Sequence, residues 1–502
     1  MAATAPALQV FLEWSQATFP IRLCFIIPRL ENEFNTPITN NLEHGIVSDI
    51  SVQDIPDKGL GFITNREVDR DNSIVVFIPS KLLLNATQVR KYAKEKAPKL
   101  EETFQALHNN GRMLNERLIL MCFLLHERIG SNDSPSLWKA YVDILPRTLH
   151  TPLFYDYTLR ACLNGTSLEA AIDAKIKKLQ REYNTLRPYF NRWSTQGINN
   201  NFNDGHDVIT FEHYRWADGV FWSRILSFGS RFEDISTESN LLNSNIDDYH
   251  LVPYLDFANH SLTPCSRWEL TIEGEGIELI LTKPDTPEQI SPGTEICISY
   301  GDKPNSELLF VHGFTLSDNP WSAISFPVPF FDDDELVKIK MNFMQFHGIK
   351  HLVSVTRKKG GAELTQDSTR AMWISVLTED DGLKFTQSSD SENCVELIIG
   401  DKVISTLEDL DNVINGLDFY PIIEWRVVDS VLDNVENLLS YLKQANEKVL
   451  KMMENERNSR ELEYIRIYRE DEHRFLEYAV EDFTRKRESL MSDEIVQRFI
   501  DY

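Results

Sequence analysis

No run of about 18 apolar residues occurs in the 502-residue chain, so no transmembrane helix is expected. Residues 1–20, MAATAPALQVFLEWSQATFP, lack a basic stretch leading into an apolar segment and a small-residue cleavage site. They are expected to form an amphipathic helix over 8–19 instead of a secretory leader. Cysteine pairs are missing as well. Cys24, Cys122, Cys162, Cys265, Cys297 and Cys394 are scattered, with no CxxC and no histidine at ligand spacing. That argues against a zinc cluster or a disulfide framework, so no metal is expected and a reducing compartment, cytosol or nucleus, is. Positive charge is also short. Lys and Arg number 51 against 77 Asp and Glu, a formal net charge of −26. Such a surface repels nucleic-acid phosphates and anionic membranes and favours a basic protein partner. Phosphate-binding GxxxxGK[ST], the GxSxG elbow and HExxH are all absent, and GLG in KGLGFIT leads into a strand where a dinucleotide fold needs a helix.

What is present falls into β, α, β and α sections. After the N-terminal helix, IRLCFIIPRL and a polar linker run to residue 43. Strand signals follow in GIVSDISV, GLGFITN and SIVVFIPSKLLL, the last ending at Pro79. LNERLILMCFLLHERIG has helical apolar spacing and stops at Gly130. A charged amphipathic helix is expected within 168–195, and an aromatic helix from about Thr210. Strands are expected again at 251–257, 268–282 and 294–300, and then a short helix ending at Gly313. From about 320 the pattern is mainly helical. Val431, Val435, Leu438, Leu442, Ala445 and Val449 form one stripe of a long helix that reads as core packing. The two strand-rich parts lie about 160 residues apart, too far for an ordinary connection. They are expected to form one split domain with a helical insert.

Four pieces remain: DKGLGFIT (57–64), WSRILSF (222–228), YLDFANHS (254–261) and ISYGDKPNSELLFVHGF (298–314). Their order and spacing resemble the SET-domain protein methyltransferases, in particular the subfamily typified by the Rubisco large-subunit lysine methyltransferase. The resemblance spans 44–315 by motif and the remainder by layout. It implies an α+β fold: a split, β-rich SET domain over 44–319 with a helical insert at about 90–250, then an all-α substrate-binding domain over 320–502. Residues 1–43 would be an N-terminal helix and linker.

The resemblance also implies the chemistry, protein-lysine N-methylation with S-adenosylmethionine as methyl donor. Gly59, Leu60 and Gly61 look like the turn whose backbone approaches the donor, which glycine permits. Arg224 is similar to the arginine that meets the donor carboxylate, Asn259 and His260 to the pair that contacts the donor where the chain threads through a loop, and Phe314 to the aromatic that packs on adenine. Tyr300 is the catalytic candidate and also one of the donor-binding residues, its hydroxyl aligning a neutral lysine amine for in-line attack or favouring the polarised methyl geometry. Taken singly, Tyr300 reads as a buried strand tyrosine, Arg224 as an ion pair and His260 as structural.

The chain departs from the family pattern at His312, where Tyr is common. That leaves the number of methyl groups open and admits a target other than lysine. Pro304 replaces the usual Ser, and 20–43 have no counterpart. No Cys-rich zinc segment follows Tyr300, unlike typical histone-tail enzymes. The expected partner is a basic protein such as a ribosomal protein, with the enzyme a monomer in cytoplasm or nucleus. Two alternatives stand beside this reading: a non-catalytic SET-fold binding module and a protein-histidine methyltransferase.

Overall fold

The computed structural model describes residues 50–71, 73–129, 136–193, 208–228, 248–271, 274–284, 289–331, 333–387, 395–456 and 459–501. The expected N-terminal helix and linker lie outside these residues. The chain divides into two compact units. The first comprises the part up to His150 with Lys175–Asp302, and the second Thr151–Ala174 with the part from Lys303 onward.

The first unit carries strands β1 (Ile50–Ile55), β2 (Gly59–Thr64) and β3 (Ile74–Pro79), then helices α1 (Ala86–Lys96), α2 (Pro98–Asn109), α3 (Glu116–Ile129) and α4 (Lys139–Ile144). Helix α5 (Ser167–Phe190) runs through the division at Lys175, and α6 is Phe211–Arg224. Strands β4 (Ile225–Ser227), β5 (Tyr249–Leu251), β6 (Ser266–Leu270), β7 (Gly276–Leu281) and β8 (Glu295–Ile296) follow, and the two-residue strands Val68–Asp69 and Gln289–Ile290 pair with each other. Strands β1 to β8 form small sheets ordered β1-β2-β8, β3-β7-β6 and β4-β5. The split strand domain expected from the sequence is therefore joined in space, because β2 pairs with β8.

Three helix starts are written in local chemistry. Asn85 caps α1 by accepting from Gln88 N–H, Pro98 opens α2, and Thr210 caps α6 with His213 returning the bond. Ile119–Leu125 of α3 are all buried. At the other face of α6, Asp218 is fully buried and accepts from Arg117 of α3, Lys175 of α5 and Trp222 Nε1 at 3.1 Å. This junction fixes the helix that ends in Arg224. Burial pushes the Lys175 ammonium below its usual range, and Asp218 opposes the shift.

His250 on β5 adds a titratable core group. Its Nε2 accepts from Asn85 Nδ2 at 3.0 Å, since Asn85 Oδ1 already accepts from Gln88. Burial brings its pKa from 6.5 down to about 4. As pH falls below 6.5 the unfolded chain takes a proton that the folded chain refuses until about 4, so stability is lost across that window. The expected loss is about 3 kcal/mol between those limits, at 1.36 kcal/mol per pKa unit. Denaturant titrations at several pH values should show a one-proton slope that His250→Gln removes.

Two of the expected strands are corrected. Over 251–257 only Leu251 is strand. Tyr254 adopts φ 78° and turns the chain into a tight 3-10 turn, Leu255–Phe257. Such a backbone costs about 1–3 kcal/mol for a bulky residue. It is held by Phe62, Tyr254 and Phe257, whose rings lie 5.6–6.5 Å apart in the core. Over 294–300 only Glu295–Ile296 is strand, and the chain then makes one parallel bridge, Ile298 with His260.

The second unit carries the long pair α7 (Tyr420–Asn455) and α8 (Arg460–Met491), followed by the short helix Glu494–Ile500, and the apolar stripe expected from the sequence lies on α7. Val431, Val435, Leu442 and Val449 are buried as that stripe requires. Before them the sequence leads to no expected strands, yet six lie among the described residues. Ala323–Pro327 (β9), Leu352–Lys358 (β10) and Gly361–Leu364 (β11) make one antiparallel sheet. Leu383–Gln387 (β12), Val395–Ile399 (β13) and Lys402–Ile404 (β14) make another. The segment 151–174 belongs to this unit because α8 grips it. Arg469 donates to the carbonyls of Cys162 and Asn164, at 3.0 and 2.7 Å, and Glu472 accepts from Ser167 N–H at 2.9 Å. No described helix is long and apolar enough to cross a membrane.

Candidate active site

The β1–β2 hairpin turns through Asp57 and Gly59, at φ 65° and 81°. Gly59 opens to free space, whereas Gly61 does not. A Cβ at Gly61 would lie 2.2 Å from Ile55 Cδ1 and 2.8 Å from Asn259 Nδ2, so only glycine lets the amide come this close to β2. Asn259 Nδ2 donates to Glu295 Oε1 at 2.8 Å and points at Leu60 O at 3.5 Å. Glu295 also pairs with Lys58. The amide nitrogen is thus engaged by protein. Its Oδ1 has no hydrogen-bond partner among the described residues and can accept from a ligand.

The segment after β8 lies against the Asn259–Ser261 loop. Ile298 N–H donates to Asn259 O at 2.9 Å and Ser261 N–H to Ile298 O at 3.0 Å. This pairing brings Tyr300 beside His260, with ring centroids 5.2 Å apart. Tyr300 N–H donates to His260 Nδ1 at 3.0 Å, which assigns the lone pair to Nδ1. Burial holds the His260 imidazole below its usual pKa, so it stays neutral at pH 7. The Tyr300 phenol donates to Ala258 O at 3.1 Å. Burial, assisted by the Asp256 carboxylate and opposed by Arg224, pushes the phenol well above its usual range. Tyr300 is therefore a hydrogen-bonding alcohol and not a base.

Arg224, at the end of α6, donates through Nη1 to Asp256 Oδ2 at 2.8 Å and to Asp256 O at 3.3 Å. Tyr141 of α4 donates to the same Oδ2 at 2.9 Å. The Asp256 side chain is 5% exposed and that of Arg224 23%. Burial lifts the Asp256 carboxyl, against the pull of Arg224 and Tyr141. For Arg224 burial opposes the charge, but Asp256 and Tyr141 outweigh it and hold the guanidinium above its usual range. Arg224 Nε and Asp256 Oδ1 are buried without a hydrogen-bond partner among the described residues.

Of the sequence-predicted residues, Gly59, Leu60, Gly61, Arg224, Asn259, His260 and Tyr300 all fall in the first unit. Direct contacts join Leu60 and Gly61 with Asn259, and His260 with Tyr300. Arg224 meets them through Asp256, the first residue of the DFANHS motif. Phe314 belongs to the second unit, half-buried after the π turn Leu308–His312 and Gly313, its ring 6.2 Å from His312. Asp256, Glu295 and Tyr141 were missed. Asp256 stands within a motif and could have been found, whereas Tyr141 leaves no local signal. The four described cysteines are free, and no group of His, Cys, Asp or Glu among the described residues is placed to hold a metal.

No protein-family model matches the chain. Among solved structures, the SET domain of LSMT bound to lysine and AdoHcy superposes with a TM-score of 0.62 at 16% identity, over 99% of this chain and 96% of that one. Rubisco LSMT bound to AdoMet gives 0.59 at 18% identity over the same shares. The fold is that of the LSMT-type SET proteins. The resemblance drawn from the four motifs is thereby borne out. Two curated relatives share the SET-fold chain's sequence more locally. The ribosomal lysine N-methyltransferase set10 of Schizosaccharomyces pombe is 27% identical over 276 residues, 53% of this chain and 44% of that protein. The actin-histidine N-methyltransferase of Drosophila melanogaster is 24% identical over 306 residues, 59% of this chain and 51% of that protein. The chain spans about half the length of the curated relatives it matches.

Proposed function

We propose that the chain is an S-adenosylmethionine-dependent protein-lysine N-methyltransferase acting on a basic protein, and that its second unit holds that protein. The observation that carries the reading is the Tyr300 phenol, protonated and fixed on Ala258 O, next to the Asn259–His260 loop. When bound, S-adenosylmethionine supplies an electrophilic methyl on a sulfonium. The residues present suit such a donor. Asn259 Oδ1 accepts from its ammonium, and the partly engaged Arg224 offers a cation for its carboxylate. Gly59, with open space where a Cβ would stand, leaves the β1–β2 turn accessible to the donor. The acceptor lysine must be neutral, and desolvation on entering the site would lower its usual pKa of about 10.4. Tyr300 orients that amine for in-line attack.

Gly61→Ala is expected to cost about 1–3 kcal/mol of stability from overpacking. It should weaken donor binding at least about tenfold, equivalent to 1.4 kcal/mol, as Asn259 is displaced. Calorimetric titration of wild type and variant with S-adenosylhomocysteine measures both the affinity and, with melting, the stability.

The charge of −26 supports a basic target, and the relative named for ribosomal lysine supports a ribosomal protein in the cytoplasm. A second reading, histidine as acceptor, is favoured by the relatives named actin-histidine N-methyltransferase and by His312. One experiment separates the readings. The full chain and tritiated donor are added to lysate from cells lacking the protein, and the labelled band is hydrolysed to amino acids. Methyl-lysine is the expected product. Methylhistidine would overturn the lysine assignment, and donor binding without any transfer would point to a binding module.

A further inference from the structure

A cleft of about 680 Å³ opens between α1 and α2, lined among others by Arg90, Lys94, Phe104, Arg112, Met113 and Leu114. Its residues, 90–114, all belong to the first unit and none takes part in the donor site. The volume is within the range of ligand-binding clefts, about 300–1,000 Å³. Arg90 and Lys94 stand four apart on α1 and so share a face. Arg112 reaches the same cleft because Gly111, at φ 68°, reverses the chain after α2, with Arg112 N–H returning to Leu107 O at 3.1 Å. All three cations are exposed. The Arg90 guanidinium sits 5.9 Å from the Phe104 ring centroid. None of the three has an ion pair or side-chain hydrogen bond among the described residues. The acidic residue in the lining, Glu101, accepts from Gln105 instead. In a chain with 77 acidic and 51 basic side chains, three cations line this cleft beside a single carboxylate, Glu101, and none of the three forms an ion pair among the described residues.

We infer that this cleft docks a short acidic segment of a partner protein, its carboxylates on Arg90, Lys94 and Arg112 and an apolar side chain against Met113 and Leu114. Bidentate pairing suits the two arginines. Met113, 91% exposed, is an unbranched and adaptable side chain suited to a peptide's apolar residue. A nucleic acid fits less well. Single strands need exposed aromatic faces on which bases stack, and Phe104 is only 2% exposed. The remaining negative charge of the chain does not forbid an acidic segment. Beyond about 8 Å it is largely screened at physiological ionic strength, so the local cations decide.

The test uses the full chain and a short fluorescein-labelled peptide of glutamates carrying two leucines, followed by anisotropy. The expected result is saturable binding, weakened at least about tenfold by the Arg90→Glu, Lys94→Glu double variant, and weakened as salt rises. Arg112→Gln should weaken it less. These side chains are exposed, so melting of the variants should match wild type. The same peptide with glutamines should bind far more weakly. Three results would overturn the inference: equal binding of the glutamine peptide, unchanged affinity in the double variant, or tighter binding of an oligouridylate of equal length through the same residues.

Discussion

Tyr300→Phe should lower methyl transfer about 100-fold or more while leaving donor affinity nearly unchanged. The magnitude is that of removing one positioned hydrogen-bonding group, or of misplacing an attacking atom by about 1 Å. The substitution keeps the ring beside His260 and the backbone bond from Tyr300 N–H to His260 Nδ1. It removes the phenol and leaves Ala258 O without its donor. The effect should therefore appear in the rate of the labelled-band assay and not in calorimetric donor binding. The pH profile gives a second readout. Burial first, with Asp256, keeps the phenol protonated well above its ordinary range. Tyr300 therefore contributes no ionisation below that range. Any rise of rate with pH belongs to deprotonation of the acceptor amine, and the rise should persist in Tyr300→Phe. Transfer at the wild-type rate in this variant would remove Tyr300 from the mechanism.

The parts of this site that were legible in the sequence are those built by neighbours in the chain. The resemblance gave GLG as a turn where backbone comes close to another group and Asn259–His260 as the place where the chain threads through a loop, and the structure brings Gly61 beside Asn259 and Tyr300 beside His260. The parts that were not legible are pairings at long range. Asn259 meets Glu295 across 36 positions and Asp256 meets Tyr141 across 115, with no periodicity connecting them. The reading of 251–257 as strand failed for a local reason. Apolar residues there serve a tight turn, and left-handed Tyr254 is held by tertiary aromatic packing and not by its own preference. The long helices after 420 were legible because their stripe repeats over many turns. The six strands between 323 and 404 were short, and the helical pattern around them hid the signal. Yet the signal existed in β10, LVSVTRK, where Val353 and Val355 are buried and the residues between and beyond them are more exposed. A period of two applied to that segment would have found it.

Asp256→Ala should be the most destabilising single change at the site, by about 3 kcal/mol. That is the low end of the range for removing one partner of a buried ion pair, since Arg224 keeps some access to water. Two groups lose their acceptor at once, Arg224 Nη1 and the Tyr141 phenol, both bonded to Oδ2. The cost is therefore that of stranding a cation, not that of the attraction itself, and a double variant distinguishes the two. Asp256→Leu with Arg224→Met removes both charges and fills similar volume, so it should melt closer to wild type than Asp256→Ala does. It should nevertheless bind donor poorly, because the cation proposed to meet the donor carboxylate has gone. If the double variant restored donor binding along with stability, Arg224 would be a structural partner of Asp256 alone, and the carboxylate of the donor would have to be met elsewhere.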